Sequence, residues 1–295
     1  MTPGPPDSET PASAAEAAAL AHRFGLTRVD LVPTFRDYLR QLWTRRSFIA
    51  ELAVANAYSR NQNNYLGQLW ATLNPLMLAG SYFLIFGLLL KTSRGVDNFI
   101  AFLTIGIFIF SFIAASVTAG AKSMTSNQNL IRAIRFPRAA LPISVALSEI
   151  LTLLPALGVL LVVLPFTGEP VRADWLLLPP AVVLLFAFCA GAGMLAARLV
   201  SASRDMLNLI PVSVRLLRYV SGVFFSITAY AGHGWISLVL QYQPVSVYLN
   251  LVRSLMLAED KQDPLLWLFA VVWAAVFLIV GSLTFWRAEH RYGRD

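Results

Sequence analysis

Six long apolar runs divide the chain, at residues 69–90, 99–121, 139–166, 175–200, 206–230 and 265–286. At about 1.5 Å of rise per residue, each is long enough as a helix to cross a hydrocarbon core about 30 Å thick, so the pattern predicts six membrane-spanning helices. Pro142, Pro155 and Pro165 fall in the third run and Pro211 in the fifth. Membrane helices tolerate such prolines, usually with a kink, when neighbours re-satisfy the freed backbone groups. Ahead of the first run, starting at Pro33, the residues Phe35, Leu39, Leu42, Ile49 and Leu52 recur at helical spacing, with Arg36, Arg40, Thr44, Ser47 and Glu51 on the other faces. That periodicity predicts an amphipathic helix over 33–60, lying in the membrane interface with Trp43 at headgroup depth. Its outer face is either a plain membrane anchor or also a surface for a cytosolic partner. The stretch from Tyr58 to Pro75 is then the seam between polar chain and bilayer.

Between the fifth and sixth runs, residues 231–263 hold a Gly-His-Gly-Trp turn and two shorter apolar stretches, 236–240 and 245–257. Neither is long enough to cross. They read as re-entrant or interfacial helices at the outer leaflet, the alternative being an irregular external loop. The predicted fold class is an all-α membrane protein with three parts: a disordered tail over 1–32, the amphipathic helix over 33–60, and a six-span domain over 61–295.

Composition agrees with the pattern. Of the 295 residues 57% are apolar and only 13% charged, about half the charge fraction of a soluble domain. The net charge of +7 is explained by position rather than by nucleic acid, which is not an expected partner. Sixteen Lys and Arg fall on one side of the spans and five on the other, where they are offset by acidic residues, and Arg215 and Arg218 lie inside a span. By the positive-inside rule both termini are cytosolic, in a multi-pass protein of the cytoplasmic membrane. The first 22 residues lack the basic and apolar regions of a signal peptide. The single Cys189 can make no intrachain disulfide.

Catalytic signatures are missing. There is no G-x-x-x-x-G-K-[ST] phosphate loop, no H-E-x-x-H and no G-x-S-x-G. The chain is therefore expected not to hydrolyse ATP, not to be an enzyme, and to bind no metal or cofactor of its own. The informative polar residues are Glu149, Arg215 and Arg218, because a charge at mid-helix depth costs about 3 kcal/mol on insertion scales. If their helices start near 139 and 206, they sit roughly 13–18 Å in, a depth at which Glu149 can pair with an arginine. Arg215 and Arg218 share a helix face and form either a cationic patch for a phosphate-bearing substrate or a pair that snorkels to the interface. The second run is rich in Phe, including Phe108 and Phe112, which serve either helix packing or a surface for sliding sugar rings.

Several segments, in order and at matching distances from the six runs, resemble the permease subunits of ABC-2-type polysaccharide exporters, the family of O-antigen and teichoic-acid exporters. Tyr65-Leu66-Gly67 with Trp70, Leu73 and Pro75 resembles that family's lead-in to its first span. Asn129-Leu130-Ile131-Arg132-Ala133-Ile134-Arg135-Phe136-Pro137-Arg138, followed by Leu141-Pro142, resembles its cytosolic coupling helix. Ser203-Arg204-Asp205 resembles the opening of its fifth span, and Gln243-Pro244-Val245 with Arg253 the stretch before its sixth. Within the family the likeness is greatest to permeases of actinobacterial cell-wall galactan exporters. Ser221-Gly222-Val223 departs from the family's Ser-Pro-Val, so the outer gate is not expected to carry over in detail.

The resemblance implies a homodimer with a channel between two copies, and two ATP-binding cassette subunits docked beneath it that hold ATP and Mg. The cargo would be a galactan on a polyprenyl pyrophosphate carrier. Asn129, Leu130, Ile131, Arg132 and Arg135 would contact the ATPase subunits, with Leu130 and Ile131 as apolar anchor. Trp43, Tyr65 and Trp70 would admit the lipid end. Glu149, Arg215, Arg218, Phe108 and Phe112 are channel candidates, and His233, Trp235 and Tyr242 would gate the outer mouth. Two rivals stay open: an ABC-2 exporter of a small lipid or drug, and a stand-alone membrane transferase or scramblase. A secondary transporter would want paired intramembrane carboxylates and an internal repeat, and the chain shows one Glu and no repeat.

Overall fold

Helices make up every regular element of the computed structural model, which describes residues 34–59, 65, 67, 69–89, 96–231, 234–258 and 263–289. The expected disordered tail over 1–32 lies outside the described residues. In chain order the helices are α1 (Phe35–Thr44), α2 (Arg46–Ser59), α3 (Leu69–Tyr82, continuing as a π-helical run over Phe83–Leu89), α4 (Phe99–Ser126) and the short α5 (Gln128–Ala133). There follow α6 (Ala140–Phe166), α7 (Leu178–Ala202, preceded by a 3-10 turn over Ala173–Leu177), α8 (Met206–Val220), α9 (Ile227–Ala231), α10 (Trp235–Tyr242), α11 (Pro244–Met256) and α12 (Pro264–Ala288).

Among the described residues, five helical segments are long and apolar enough to cross a membrane: Leu69–Leu89, Phe99–Ser126, Ala140–Phe166, Ala173–Ala202 and Pro264–Ala288. Each coincides with a predicted run to within a few residues, and α6 continues through Pro155. The predicted fifth span over 206–230 differs. Its helix stops at Val220, and Ser221 leads into Gly222 at φ 71°, a left-handed conformation that a side chain disfavours. Among the described residues this run is therefore not one continuous helix: α8 has 15 residues, and helix resumes only at Ile227.

The core is made by α4, α7 and α12, with α6 and α11 packed on them. Close approach rests on glycines. A Cβ on Gly191 of α7 would lie 2.3 Å from the Phe277 carbonyl carbon of α12, and one on Gly120 of α4 would lie 2.8 Å from the Gly193 Cα. Small residues let helix backbones meet where lipid supplies no hydrophobic drive. Away from these crossings α3 and α8 line the outside of the bundle: α8 has no fully buried residue, and the apolar window of α3 is 6% buried.

The predicted amphipathic helix over 33–60 is two helices. Thr34 caps the first, its hydroxyl accepting from the Asp37 N–H, and the break falls at Arg45. Leu42 and Ile49 face inward as expected, whereas Leu39 is 43% exposed and Tyr38 takes the buried place beside them. The apolar side of these helices is covered by protein: α2 packs on α6, and the Phe35 ring sits edge-on to Trp286 of α12 at 5.7 Å.

The carbonyls at the broken end of α8 are satisfied from α11. Gln243 donates to the Val220 carbonyl at 3.2 Å and Ser246 to that of Ser221 at 3.0 Å. Arg253, 1% exposed, donates to the carbonyls of Gly222 and Val223, each at 2.9 Å, and to that of Phe102 at 3.2 Å, with its guanidinium over the Phe102 ring. An irregular stretch at this depth requires such partners because lipid offers none. The predicted stretch 245–257 is accordingly a core helix, with nearly every residue of α11 buried.

Candidate functional site

Two cavities flank α4 and meet at Ala115. The larger, about 460 Å³, lies between α2, α3, α4 and α6. Its walls are mostly apolar, with Phe108 and Phe112 from α4 and Pro75 from α3. Four polar side chains interrupt them: Asn74, Ser111, Thr152 and Glu149. Glu149 is 4% exposed, one helical turn before Thr152 on α6, so both face the same space. A carboxyl, an amide and two hydroxyls beside aromatic rings can hydrogen-bond a hydroxyl-rich molecule while the rings cover its apolar faces.

The second cavity, about 300 Å³, is bounded by α3, α4 and α8 and lined by Tyr82, Phe110, Thr118, Arg215, Arg218 and Tyr219 among others. The structure therefore brings Glu149, Phe108 and Phe112 together and puts Arg215 and Arg218 across α4 from them. Arg218 stacks over the Phe110 ring at 5.0 Å. Above it, Tyr82, Phe86, Tyr219 and Phe224 form one aromatic cluster with ring centroids 4.5–5.9 Å apart.

At the end of the bundle that holds the N-terminal helices, α5 lies on the surface. Asn129, Arg132 and Arg135 are exposed, while Leu130 and Ile131 are half-buried and pack on the chain's own lower core. The segment is held by Phe136, whose ring meets Phe48 of α2 at 5.2 Å. Beside it lies a buried polar node. The Tyr38 hydroxyl donates to Glu289 at 2.9 Å and accepts from the Ala139 N–H at 3.2 Å, and the Arg138 N–H donates to the other Glu289 carboxylate oxygen at 3.1 Å. One carboxylate thus ties α1, the loop after α5 and the end of α12 together.

Of the residues expected to admit a lipid, Trp43 and Tyr65 are fully open to the surroundings, at 72% and 111% exposure, and Trp70 is half-buried. Of the expected outer gate, His233 lies outside the described residues, and Trp235 is exposed at the start of α10. Tyr242 is fastened to α12. Its hydroxyl donates to Asp263 at 3.0 Å, its carbonyl accepts from the Trp273 indole at 2.9 Å, and its ring stacks on Phe269. Burial, then the hydrogen bond to Asp263, pushes its phenol above the ordinary tyrosine range. At the same end Glu169 is buried, accepting from Asn98 at 3.0 Å and from the Ala258 N–H at 2.8 Å.

Sequence reasoning missed three features: Asn74, Ser111 and Thr152 lining one cavity with Glu149, the Tyr38–Glu289 node, and the Arg253 clamp. Only the last had a local signal, a single charge inside the apolar stretch 245–257.

Comparison with known proteins adds the following. The family model described as ABC-2 type transporter matches residues 49–257, well over half of the chain. Three relatives share the description O-antigen export system permease protein RfbA. The one from Myxococcus xanthus is 24% identical over 243 residues, covering 80% of this chain and 93% of its own length. Two from Klebsiella pneumoniae are 27% and 26% identical over 170 residues, each match covering 57% of this chain and 64% of the relative.

Proposed function

The chain belongs to the ABC-2 type transporter family, and from that premise we propose that it is the permease subunit of an ATP-driven exporter of a lipid-linked polysaccharide. The observation that carries the reading is the larger cavity. A carboxyl, an amide, two hydroxyls and two phenylalanine rings line a space of about 460 Å³ among the spans, a set of donors, acceptors and ring faces suited to a hydroxyl-rich sugar. The three relatives described as O-antigen export permeases and the resemblance to galactan exporter permeases support polysaccharide, with galactan as the favoured sugar and a polyprenyl pyrophosphate carrier. Both termini face the cytosol, and α8 with its resumed helix at Ile227 serves as a sixth, interrupted crossing. The poorly covered α3 and α8 line a channel completed by a second copy. Two ATP-binding cassette subunits, which carry ATP and Mg, dock on α5 through Asn129, Arg132 and Arg135. Trp43, Tyr65 and Trp70 receive the lipid end, and Trp235 stands at the outer mouth.

The test is reconstitution of the chain with its ATP-binding subunit in vesicles loaded with a polyprenyl pyrophosphate-linked galactan. ATP-dependent movement of the glycan to the far side is the expected result, falling severalfold with Glu149→Gln and with Phe108→Ala plus Phe112→Ala. ATP-driven movement of an unglycosylated lipid in preference to the glycan overturns the substrate. Movement that needs no ATP-binding subunit overturns the transporter class in favour of a stand-alone transferase or scramblase.

A further inference from the structure

Arg215 and Arg218 stand one turn apart on α8, roughly 13 and 18 Å along the helix from Met206. Arg215 is exposed and Arg218 half-buried on this outer helix; two cations on one helix face repel each other, and within a span each is costly unless something compensates it. Among the described residues neither has a carboxylate partner, and the Arg218 Nε is buried without a hydrogen-bond acceptor. Capping the broken end of α8 does not account for them, since Gln243, Ser246 and Arg253 already serve its carbonyls. Arg218, in the last turn, gains from the helix dipole; Arg215 is a turn too early for that benefit.

What surrounds the pair is matched to an anion. The cavity of about 300 Å³ that both arginines line contains no acidic residue. Facing them are the phenols of Tyr82 and Tyr219, whose hydroxyls have no hydrogen-bond partner among the described residues. The Arg218 guanidinium lies over the Phe110 ring at 5.0 Å, a contact that uses up none of its N–H groups as hydrogen-bond donors to oxygen. Guanidinium forks and phenol donors with no competing acceptor recognise the oxygens of phosphate, and the volume takes a diphosphate with room for an attached residue.

We propose that the cavity between α3, α4 and α8 is a binding site for a phosphate-bearing group, held by Arg215 and Arg218 with Tyr82 and Tyr219, and that its occupant is the diphosphate of the lipid carrier. Naming the carrier rests on the export reading above; the anion site rests on the geometry alone. Adjacency to the larger cavity at Ala115 then places the first sugars beside Glu149 and Thr152 while the charged group stays with the arginines.

The test uses the full chain purified with its ATP-binding subunit in neutral detergent, titrated with inorganic pyrophosphate by calorimetry. Wild type is expected to bind, Arg215→Gln plus Arg218→Gln to weaken binding at least about tenfold, and Arg198→Gln, at the far end of α7, to leave it unchanged. Without pyrophosphate the double variant should unfold no earlier than wild type, because it removes a like-charge pair. Earlier unfolding with unaltered pyrophosphate binding makes the arginines structural and overturns the site. In phosphatidylcholine nanodiscs, displacement of pyrophosphate by a polyprenyl diphosphate supports the carrier. Displacement by phosphatidylglycerol alone keeps the anion site and overturns the carrier as its occupant. Undiminished glycan export by the double variant overturns this assignment and leaves the export reading standing. Absence of glycan export in wild type, with pyrophosphate still bound, does the reverse.

Discussion

Replacing Arg253 by lysine keeps the charge and removes the fork. The guanidinium reaches three backbone carbonyls, on two segments, from one buried position. A single ammonium cannot span them, so at least one buried acceptor is left without its donor, at roughly 1–3 kcal/mol each. Arg253→Lys is therefore expected to destabilise the detergent-solubilised protein by roughly 2–5 kcal/mol, read from its unfolding midpoint. Gly106→Ala offers an independent check, because its Cβ would lie within contact of the same guanidinium. It should destabilise wild type and have less effect once Arg253 is alanine, since the guanidinium contact is then gone and only the Val223 carbonyl oxygen, 3.0 Å from that Cβ, remains close. A midpoint for Arg253→Lys equal to wild type would sink the clamp. The sequence pattern counted Arg253 among the outer-side charges, on a re-entrant or interfacial stretch, because 245–257 is too short to cross. Hydropathy reports length and polarity, and it does not tell a surface segment from a short helix buried in the bundle.

At the scale of the element, apolar length was a reliable guide wherever a helix is continuous, which is why five of the six runs were legible to within a few residues. It failed at α8, where a glycine in an apolar run changes hydropathy little, while its left-handed φ ends the helix and the compensating donors come from more than twenty residues downstream. The face of α1 was misjudged for a similar reason: Tyr38 is buried by its bond to Glu289, 251 residues away. The crossing of α7 and α12 was written locally, in the small residues Cys189-Ala190-Gly191-Ala192-Gly193, although periodicity reads these only as more apolar chain. Because a Cβ on Gly191 would meet backbone atoms of Phe277 at 2.3 Å, no side chain can move to admit it, and the helices must separate. Gly191→Ala is expected to lower stability by at least about 1–3 kcal/mol. The same substitution at Gly158, which meets nothing within 4 Å, should be neutral or slightly stabilising. Equal unfolding midpoints for the two variants would show that α7 and α12 are not held at this contact.

For the whole molecule, α4 walls both cavities and α6 walls the larger, and the surface helix α5 stands between these two helices in the chain. The residues of each cavity come from three or four helices separated by long stretches of chain, so only Glu149, the two arginines and, in the Phe-rich run, Phe108 and Phe112 were legible beforehand. Asn74, Ser111, Thr152 and Tyr82, which line the same cavities, look ordinary until the helices assemble. The α5 segment is continuous with α4 through Asn127 and leads into α6 through the loop that the Arg138–Glu289 bonds tie to the end of α12, so under the proposed function a push on α5 would reach α4, which walls both cavities, and α6, which walls the larger. Its exposed arginines do nothing for the fold: neither Arg132 nor Arg135 has a partner among the described residues, and both point away from the lower core that Leu130 and Ile131 join. Arg132→Glu with Arg135→Glu should therefore leave the unfolding midpoint within about 0.5 kcal/mol of wild type. Reversing two charges on the docking surface proposed for α5 should nevertheless slow association with the ATP-binding subunit and cut ATP-driven export by about tenfold or more. Reconstituted vesicles measure the second effect and thermal unfolding the first. A variant that folds normally and exports at the wild-type rate would remove α5 from the coupling path and move the docking surface to the other exposed face at that end, the one bearing Trp43 and Arg46.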